Sequence, residues 1–159
     1  MTVTLRPMPP DRLPEWIRRS ADEYASDLVT LGRPAAEARR VADEGMAESF
    51  PAGRPREGHV VLDVLDDAGA RVGYLWIGPT TDGDLGEWWV WDLLVDEGRR
   101  GQGLGRATML LAEDYARSRG ARTLGLSVFG FNAAARRLYE SLGYATTSVK
   151  MAKDLGRAD

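Results

Sequence analysis

The stretch WWVWDLLVDEGRRGQGLGRATMLLAEDYA, residues 88–116, decides the fold of this 159-residue chain. It joins an apolar, aromatic run to a helical pattern through a turn that carries four glycines, Gly98, Gly101, Gly103 and Gly105. Where a strand, a glycine-rich turn and a helix follow one another, the first-turn amides of the helix have no acceptor within it, and the helix dipole favours an anion there. The stretch therefore predicts an anion site, suited to a phosphate, at the start of the helix.

The strand before the turn is predicted over residues 87–95. Period-two alternation sets Glu87, Trp89 and Trp91 against Trp88, Val90 and Asp92, which predicts a central strand covered on both faces. A carboxylate within such an apolar strand must be paired, hydrogen-bonded or shifted in pKa, and each of these makes Asp92 a candidate functional residue.

The helix after the turn has a one-sided apolar stripe and ends at Gly120, before a strand predicted over residues 123–128. A strand, a helix and a strand of these lengths form a crossover unit, so the two strands should be parallel and joined with a right hand. Ligands of open sheets bind beyond the carboxyl ends of such strands, where the glycine turn lies.

Further helices and strands are predicted on both sides of this unit. The helices cover residues 11–32, 34–50 and 132–143, the last with Asn132 as its cap, and the strands cover residues 3–6, 59–66, 71–77 and 145–151. A polar loop is expected at residues 80–86, and the last four residues are expected to fray. No linker or repeat interrupts residues 1–159, so a single mixed α/β domain is predicted.

The composition excludes several classes of function. The chain has 43% hydrophobic and 28% charged residues, no cysteine and a net charge of -3, as in an ordinary soluble protein without a basic field for nucleic acid. The absence of cysteine and the single His59 argue against disulfides, a metal site and a cysteinyl intermediate. The sequence contains no apolar run long enough for a signal peptide or a membrane span, so a cytoplasmic protein is expected.

Two common nucleotide motifs do not match the glycine turn. A Walker loop ends in Gly-Lys-Ser/Thr, and the dinucleotide fingerprint needs a small residue where Arg106 stands.

The turn Arg100-Gly101-Gln102-Gly103-Leu104-Gly105 resembles the Gln/Arg-x-x-Gly-x-Gly/Ala motif of the GNAT acetyltransferase superfamily, and it follows a Leu-Leu-Val strand end as in that superfamily. A second stretch also resembles a signature of that superfamily. It consists of Asn132, Ala135 and the run LYESLGY at residues 138–144, and its Asn132 and Tyr139 stand seven residues apart. The chain looks like a bacterial, single-domain member.

The resemblance implies the GNAT fold, a mixed and mostly antiparallel sheet of about six or seven strands with about four helices. It implies that a bulge splays two parallel strands, and that acetyl-CoA binds between them. Backbone groups of Leu93, Leu94 and Val95 would pair with the pantetheine arm. The pyrophosphate would lie on Arg100 and on the amides of Gly101, Gln102, Gly103, Leu104, Gly105 and Arg106, while Asn132 would hydrogen-bond the cofactor.

The resemblance also implies acetyl transfer to an amine without a metal, with a backbone N–H of Leu93 or Leu94 stabilising the oxyanion and Tyr139 as the general acid that protonates the thiolate. Several members carry a glutamate base where this chain has Trp91 or Ser127. Asp92 and Glu87 are the remaining candidate bases. A structural carboxylate at Asp92 and a packed tyrosine at Tyr139 are the competing interpretations.

Two functions follow from the resemblance. In the first, the protein is an acetyl-CoA-dependent N-acetyltransferase, which the intact Asn132 and Tyr139 favour. In the second, which the missing glutamates favour, it is a CoA-binding pseudoenzyme or acyl-CoA sensor. The enzyme is the preferred interpretation. Its amine acceptor could be a small molecule, a peptide or a protein. The resemblance also suggests a homodimer.

Overall fold

The computed structural model describes residues 2–80 and 85–157. It contains two compact units, Met1–Ser127 and Val128–Asp159. Part of the predicted polar loop at residues 80–86 and the last two residues of the predicted frayed end lie outside the described residues. No helix of the described ranges has the length and apolarity that crossing a membrane requires.

The first unit holds one sheet of five strands and three α-helices. The strands are β1 (Thr4–Pro7), β2 (Val60–Leu65), β3 (Arg71–Pro79), β4 (Glu87–Val95) and β5 (Thr123–Leu126), and they lie in that order in the sheet. The helices are α1 (Leu13–Thr30), α2 (Ala35–Ser49) and α3 (Leu104–Ser118). Pro14 stands in the first turn of α1, and Pro34 directly precedes α2, where the absence of an N–H costs nothing.

Neighbouring strands are antiparallel except for β4 and β5, which are parallel. The predicted β2–β3 hairpin is confirmed. Its turn is closed by the Asp66 carboxylate, which accepts from the amides of Ala68 at 3.0 Å and Ala70 at 2.9 Å. The predicted parallel pair joined through a helix is also confirmed, because α3 connects β4 to β5.

The sheet is covered on both faces, as the aromatic β4 predicts. On one face α1 and α2 bury an aromatic cluster in which the Trp16 ring meets the rings of Phe50, Tyr74 and Trp76 edge-on, with centroids 5.4 to 5.8 Å apart. On the other face α3 packs on β1, β3 and β4. These aromatic contacts hold α1 against the middle of the sheet, where the candidate site lies.

The second unit contains the helix α4 (Ala133–Ser141). Asn132 is its N-cap, and its side chain accepts a hydrogen bond from the Ala135 amide at 3.2 Å, as the sequence predicts. Tyr139 packs edge-on against Tyr144 with ring centroids 6.0 Å apart.

The mixed α/β fold with four α-helices is confirmed, but the described sheet has five strands where six or seven were expected. The strand predicted at residues 145–151 is wrong, since this segment has no regular secondary structure. Its apolar residues bury no face: Val149 is 72% and Met151 91% exposed. Alternation without burial does not stabilise a strand.

Candidate functional site

A β-bulge in β4 organises the site. Asp92 pairs with Trp76 and Val90 pairs with Ile77, so Trp91 is an additional residue in β4 without a partner position in β3. β5 pairs only with the part of β4 before this bulge, from Glu87 to Val90. Beyond the bulge, β4 has β3 on one side and no strand of the described sheet on the other.

The predicted binding edge, Leu93, Leu94 and Val95, lies in this splayed part of β4. The Asp96 amide donates to Val72 O in β3 at 2.8 Å, and the alternation of an extended chain then turns the backbone groups of Leu93 and Val95 away from β3. Arg100 Nε donates to Val95 O at 3.1 Å on that outer side. The outward backbone groups of Leu93 and Val95 therefore have no strand of the described sheet beside them.

The predicted phosphate loop, Arg100, Gly101, Gln102, Gly103, Leu104, Gly105 and Arg106, leads directly into α3. Gly101 and Gly103 have left-handed backbones, with φ of 76° and 78°, and Gly103 is the N-cap of α3. A Cβ built on either glycine would meet no protein atom within 4 Å. Glycine is therefore required here by backbone conformation, and the space beside it is open.

The loop is tied to the β2–β3 turn by an ion pair, in which Arg99 Nη1 and Asp66 Oδ2 are 3.0 Å apart. The hydrogen bond from the Ala70 amide, followed by the bond from Arg99, lowers the pKa of Asp66 below its ordinary value. The ion pair thus links the segment just before α3 to the β2–β3 turn.

Asp92 faces α1, and the strict alternation expected for β4 is wrong at this point. The bulge rotates the strand by one residue, so Asp92 and Trp91 both lie on the face of Trp76. Asp92 Oδ2 accepts hydrogen bonds from Ser20 Oγ at 2.7 Å and from Tyr74 Oη at 2.9 Å.

Burial of its carboxylate raises the pKa of Asp92 from 3.8 to about 6. The bonds from Ser20, Tyr74 and the Leu93 amide oppose the rise, and the negative charge of Glu23 adds to it. The bridging hydroxyl of Tyr74 also lies 3.1 Å from Glu23 Oε2. Asp92 is thus a carboxylate with a raised pKa of about 6 at the start of the splayed edge, a combination typical of functional carboxylates.

Trp91 forms an aromatic surface beside Asp92. It is 39% exposed, and its ring stacks on those of His59 and Trp76 with centroids 5.6 and 5.8 Å apart. The Trp89 ring lies 6.3 Å from Trp91 and covers Gly125, where a Cβ would overlap it.

His59 has a structural arrangement. Its Nδ1 accepts from Trp76 Nε1 at 3.1 Å, and its Nε2 lies 3.1 Å from Pro79 O, an acceptor. Both contacts are satisfied together by the neutral ring with its proton on Nε2. The imidazole is thus held by two hydrogen bonds with its ring stacked on Trp91.

Of the other predicted residues, Glu87 lies within the first unit, and Asn132 and Tyr139 belong to the second unit. Glu87 stands at the opposite end of β4, paired with Thr123, five extended residues or about 17 Å along the strand from Asp92. Asn132 and Tyr139 belong to the second unit, where Asn132 caps α4 and Tyr139 is partly buried.

Ser20, Glu23 and Tyr74 were not identified from the sequence. One signal was available for Ser20, which stands four residues after the buried Trp16 on the inward stripe of α1. A polar residue on such a stripe needs a partner. Nothing in the sequence identified that partner as Asp92, 72 residues later.

In sequence and in fold, the chain is similar to known and putative acetyltransferases. A model described as "Acetyltransferase (GNAT) family" matches residues 17–144. Two proteins of Bacillus subtilis (strain 168) named as uncharacterized N-acetyltransferases align over 156 residues. YdgE is 29% identical over 98% of this chain and 99% of its own, and YycN is 30% identical over 98% and 100%. The crystal structure of the putative acetyltransferase YycN from Bacillus subtilis has a TM-score of 0.90 at 28% identity, covering 98% of this chain and 100% of that one.

Proposed function

We propose that this chain, which belongs to the acetyltransferase (GNAT) family and is an N-acetyltransferase, transfers an acetyl group directly from acetyl-CoA to a primary amine. The observation that carries the proposal is the splayed edge of β4, which runs from the carboxylate of Asp92 straight into the glycine loop at the start of α3. One end of this edge offers a base and the other an anion site.

The residues present fit acetyl-CoA. The left-handed Gly101 and Gly103 leave open space in front of the α3 N-terminus, where first-turn amides and the helix dipole favour a pyrophosphate. Leu93 and Val95 would pair with the amides of the pantetheine arm as an added strand does. When bound, acetyl-CoA supplies an acetyl group activated as a thioester.

Asp92 would serve as the general base in preference to Glu87. An alkylammonium has a pKa of roughly 10 and must lose a proton before it can attack. With a pKa of about 6, Asp92 is ionised at neutral pH and is a stronger base than an ordinary aspartate. Glu87 stands at the other end of β4, away from the splayed edge.

Tyr139 would act as the general acid that donates its hydroxyl proton to the departing thiolate, and Asn132 would hydrogen-bond the cofactor. Because the Asn132 carbonyl oxygen already caps α4, its amide N–H₂ group would make that contact. Both roles rest on the second sequence signature.

Trp91 would form the acceptor side of the site. Its exposed ring lies next to Asp92 on the same face of the sheet, so an amine delivered to Asp92 would bring the neighbouring part of the acceptor onto an aromatic surface.

The direct test uses the purified chain. Acetyl-CoA, ATP and NAD are compared for their effect on the melting temperature, and a panel of small amines, amino acids, peptides and lysine-bearing proteins is assayed by release of free CoA thiol. We expect acetyl-CoA to raise the melting temperature, and the increase should grow with the ratio of its concentration to its Kd. We also expect one class of acceptor to cause the release of free CoA thiol. Stabilisation without thiol release from any acceptor would favour the CoA sensor, and stabilisation by ATP or NAD alone would exclude both functions.

A further inference from the structure

Three polar side chains from two elements, Ser20 and Glu23 of α1 and Tyr74 of β3, surround the proposed base. We propose that Tyr74 and Glu23 form a proton relay that carries the acceptor's proton from Asp92 to solvent and so resets the base after each transfer. The relay rests on the proposed acetyl transfer and assigns positioning roles to two residues that act through Asp92.

The relay is a continuous hydrogen-bonded path. Tyr74 Oη lies 2.9 Å from Asp92 Oδ2 and 3.1 Å from Glu23 Oε2, so one hydroxyl bridges the two carboxylates. Tyr74 is buried, whereas the Glu23 side chain is 38% exposed. The path therefore begins at a partly buried base and ends at a carboxylate in contact with water.

The hydrogen bonds of the Tyr74 bridge must switch during the transfer. The Tyr74 hydroxyl has a single proton and can donate to only one carboxylate at a time. When Asp92 is ionised, it accepts that proton's hydrogen bond together with the one from Ser20. When Asp92 is protonated, it can donate to Tyr74 Oη, which frees the Tyr74 proton to point at Glu23.

The proton moves from the acceptor amine to water in three steps. The amine N–H bond breaks and an O–H bond forms on Asp92. Asp92 then passes a proton from Oδ2 to Tyr74 Oη while the original Tyr74 proton moves to Glu23 Oε2, and Glu23 releases it to water. No charge remains on Tyr74 at any stage.

The surroundings favour this concerted route over a tyrosinate. Burial, followed by the charges of Asp92 and Glu23, raises the pKa of Tyr74 far above its ordinary value, so the phenol relays a proton without ionising. Arg12 and Arg71 line the same cavity as Tyr74, and the cation in contact with the bridge is Arg19. Its Nε lies 3.2 Å from Glu23 and its guanidinium 5.7 Å from the Tyr74 ring, and it also lies 3.7 Å from Asp96. Asp27, one turn beyond Glu23, adds a further negative charge.

The test compares Tyr74→Phe and Glu23→Gln with wild type by the pH dependence of kcat. We expect both variants to lower the plateau of kcat about tenfold or more without changing the KM for acetyl-CoA. The acid limb should move in opposite directions. It moves to higher pH in Tyr74→Phe, because Asp92 loses a donor, and to lower pH in Glu23→Gln, because Asp92 loses a neighbouring negative charge.

Asp22→Asn is the matched control, since it removes an exposed carboxylate that pairs with Arg39 from the same helix and leaves the Tyr74 bridge intact. Its plateau should equal that of wild type. A small buffer acid and base, such as imidazole, should restore part of the plateau in Glu23→Gln and have no such effect on wild type. Circular dichroism and melting temperature establish that each variant is folded, and a Tyr74→Phe variant that fails to fold leaves Glu23→Gln with buffer rescue as the deciding measurement.

The outcomes separate the relay from the activity. An active wild type with unchanged plateaus in both variants overturns the relay and leaves the acetyl transfer intact, even if the acid limbs move. A wild type that neither binds acetyl-CoA nor releases thiol overturns the proposed function and the relay together.

Discussion

At Asp92, burial and hydrogen bonding act on the carboxylate in opposite directions. Loss of hydration favours the protonated form, while Ser20, Tyr74 and the Leu93 amide all favour the ionised form. Burial outweighs the three bonds, and the pKa lies at about 6. This pKa sets the fraction of Asp92 that is ionised, and so able to act as a base, at a given pH. It also sets how much the ionised carboxylate lowers the stability of the fold.

The cost of ionising Asp92 predicts a pH-dependent effect of Asp92→Asn. A carboxyl group with a folded pKa of about 6 and an unfolded value of 3.8 binds its proton more tightly in the folded state, so its contribution to stability falls as pH rises from 3.8 to 6. Relative to wild type, Asp92→Asn should gain up to roughly 3 kcal/mol of unfolding free energy between pH 4 and pH 7. Urea unfolding at the two pH values measures this difference, and a difference independent of pH would contradict the raised pKa.

Trp91→Ala tests the acceptor side of the site. Removing the exposed ring should raise the KM for the acceptor by about tenfold, an effect of roughly 1.4 kcal/mol, and leave the KM for acetyl-CoA unchanged. The matched control is Tyr24→Ala, which removes a similarly exposed aromatic ring from α1. A rise in the KM for acetyl-CoA alone would place Trp91 on the cofactor side.

At the scale of elements, the junction of β4 with α3 combines an unpaired strand edge with a helix start. Its geometry depends on backbone conformations that only glycine adopts easily, and on close approach of β3 to β4. Two glycines test these two requirements separately.

Gly103→Val should abolish binding of acetyl-CoA. A β-branched residue is strongly disfavoured at φ of 78°, so the N-cap of α3 would have to change conformation and turn the first-turn amides away from the loop. Isothermal titration calorimetry with acetyl-CoA measures the loss. Gly98→Val is the control, because Gly98 lies just before this loop in a 3-10 turn (Glu97–Arg99), has no positive φ and has open space around it. Tight binding by Gly103→Val would contradict the assignment of the loop.

Gly73→Ala should weaken both the sheet and the binding edge. A Cβ at Gly73 would overlap the Leu94 carbonyl oxygen, so β3 and β4 must move apart at the splayed segment. We expect a loss of about 1–3 kcal/mol in unfolding free energy together with a higher Kd for acetyl-CoA. Gly45→Ala, on a helix with open space, is the matched substitution and should stabilise by about 0.5–1 kcal/mol. Equal stability of the two variants would argue against the close approach.

At the scale of the whole molecule, residues 17–144 match a single family model that includes parts of both compact units. The single-domain organisation of residues 1–159 stays a prediction, and calorimetry tests it. A single domain should unfold in one transition whose calorimetric and van't Hoff enthalpies agree. Two resolved transitions would show that the units unfold independently.

Local patterns predicted most of the elements because the signals that specify them are themselves local. The glycine loop, the Asn132 cap and the β2–β3 turn each depend on residues within a few positions of one another. The same reasoning failed at residues 145–151, where alternation is present without burial of an apolar face. A strand depends on partners that its own sequence does not specify.

The sequence by itself determined that a strand, a glycine-rich turn and a helix follow one another at residues 88–116, because each step is a property of neighbouring residues. Only the tertiary structure decided which way Asp92 points. One extra residue at Trp91 rotates the strand, and α1 then brings Ser20 and Glu23 to a carboxylate and a tyrosine that lie 51 to 72 residues further along the chain. The pKa of the proposed base follows from that burial and those contacts, which exist only once α1 is packed on the sheet.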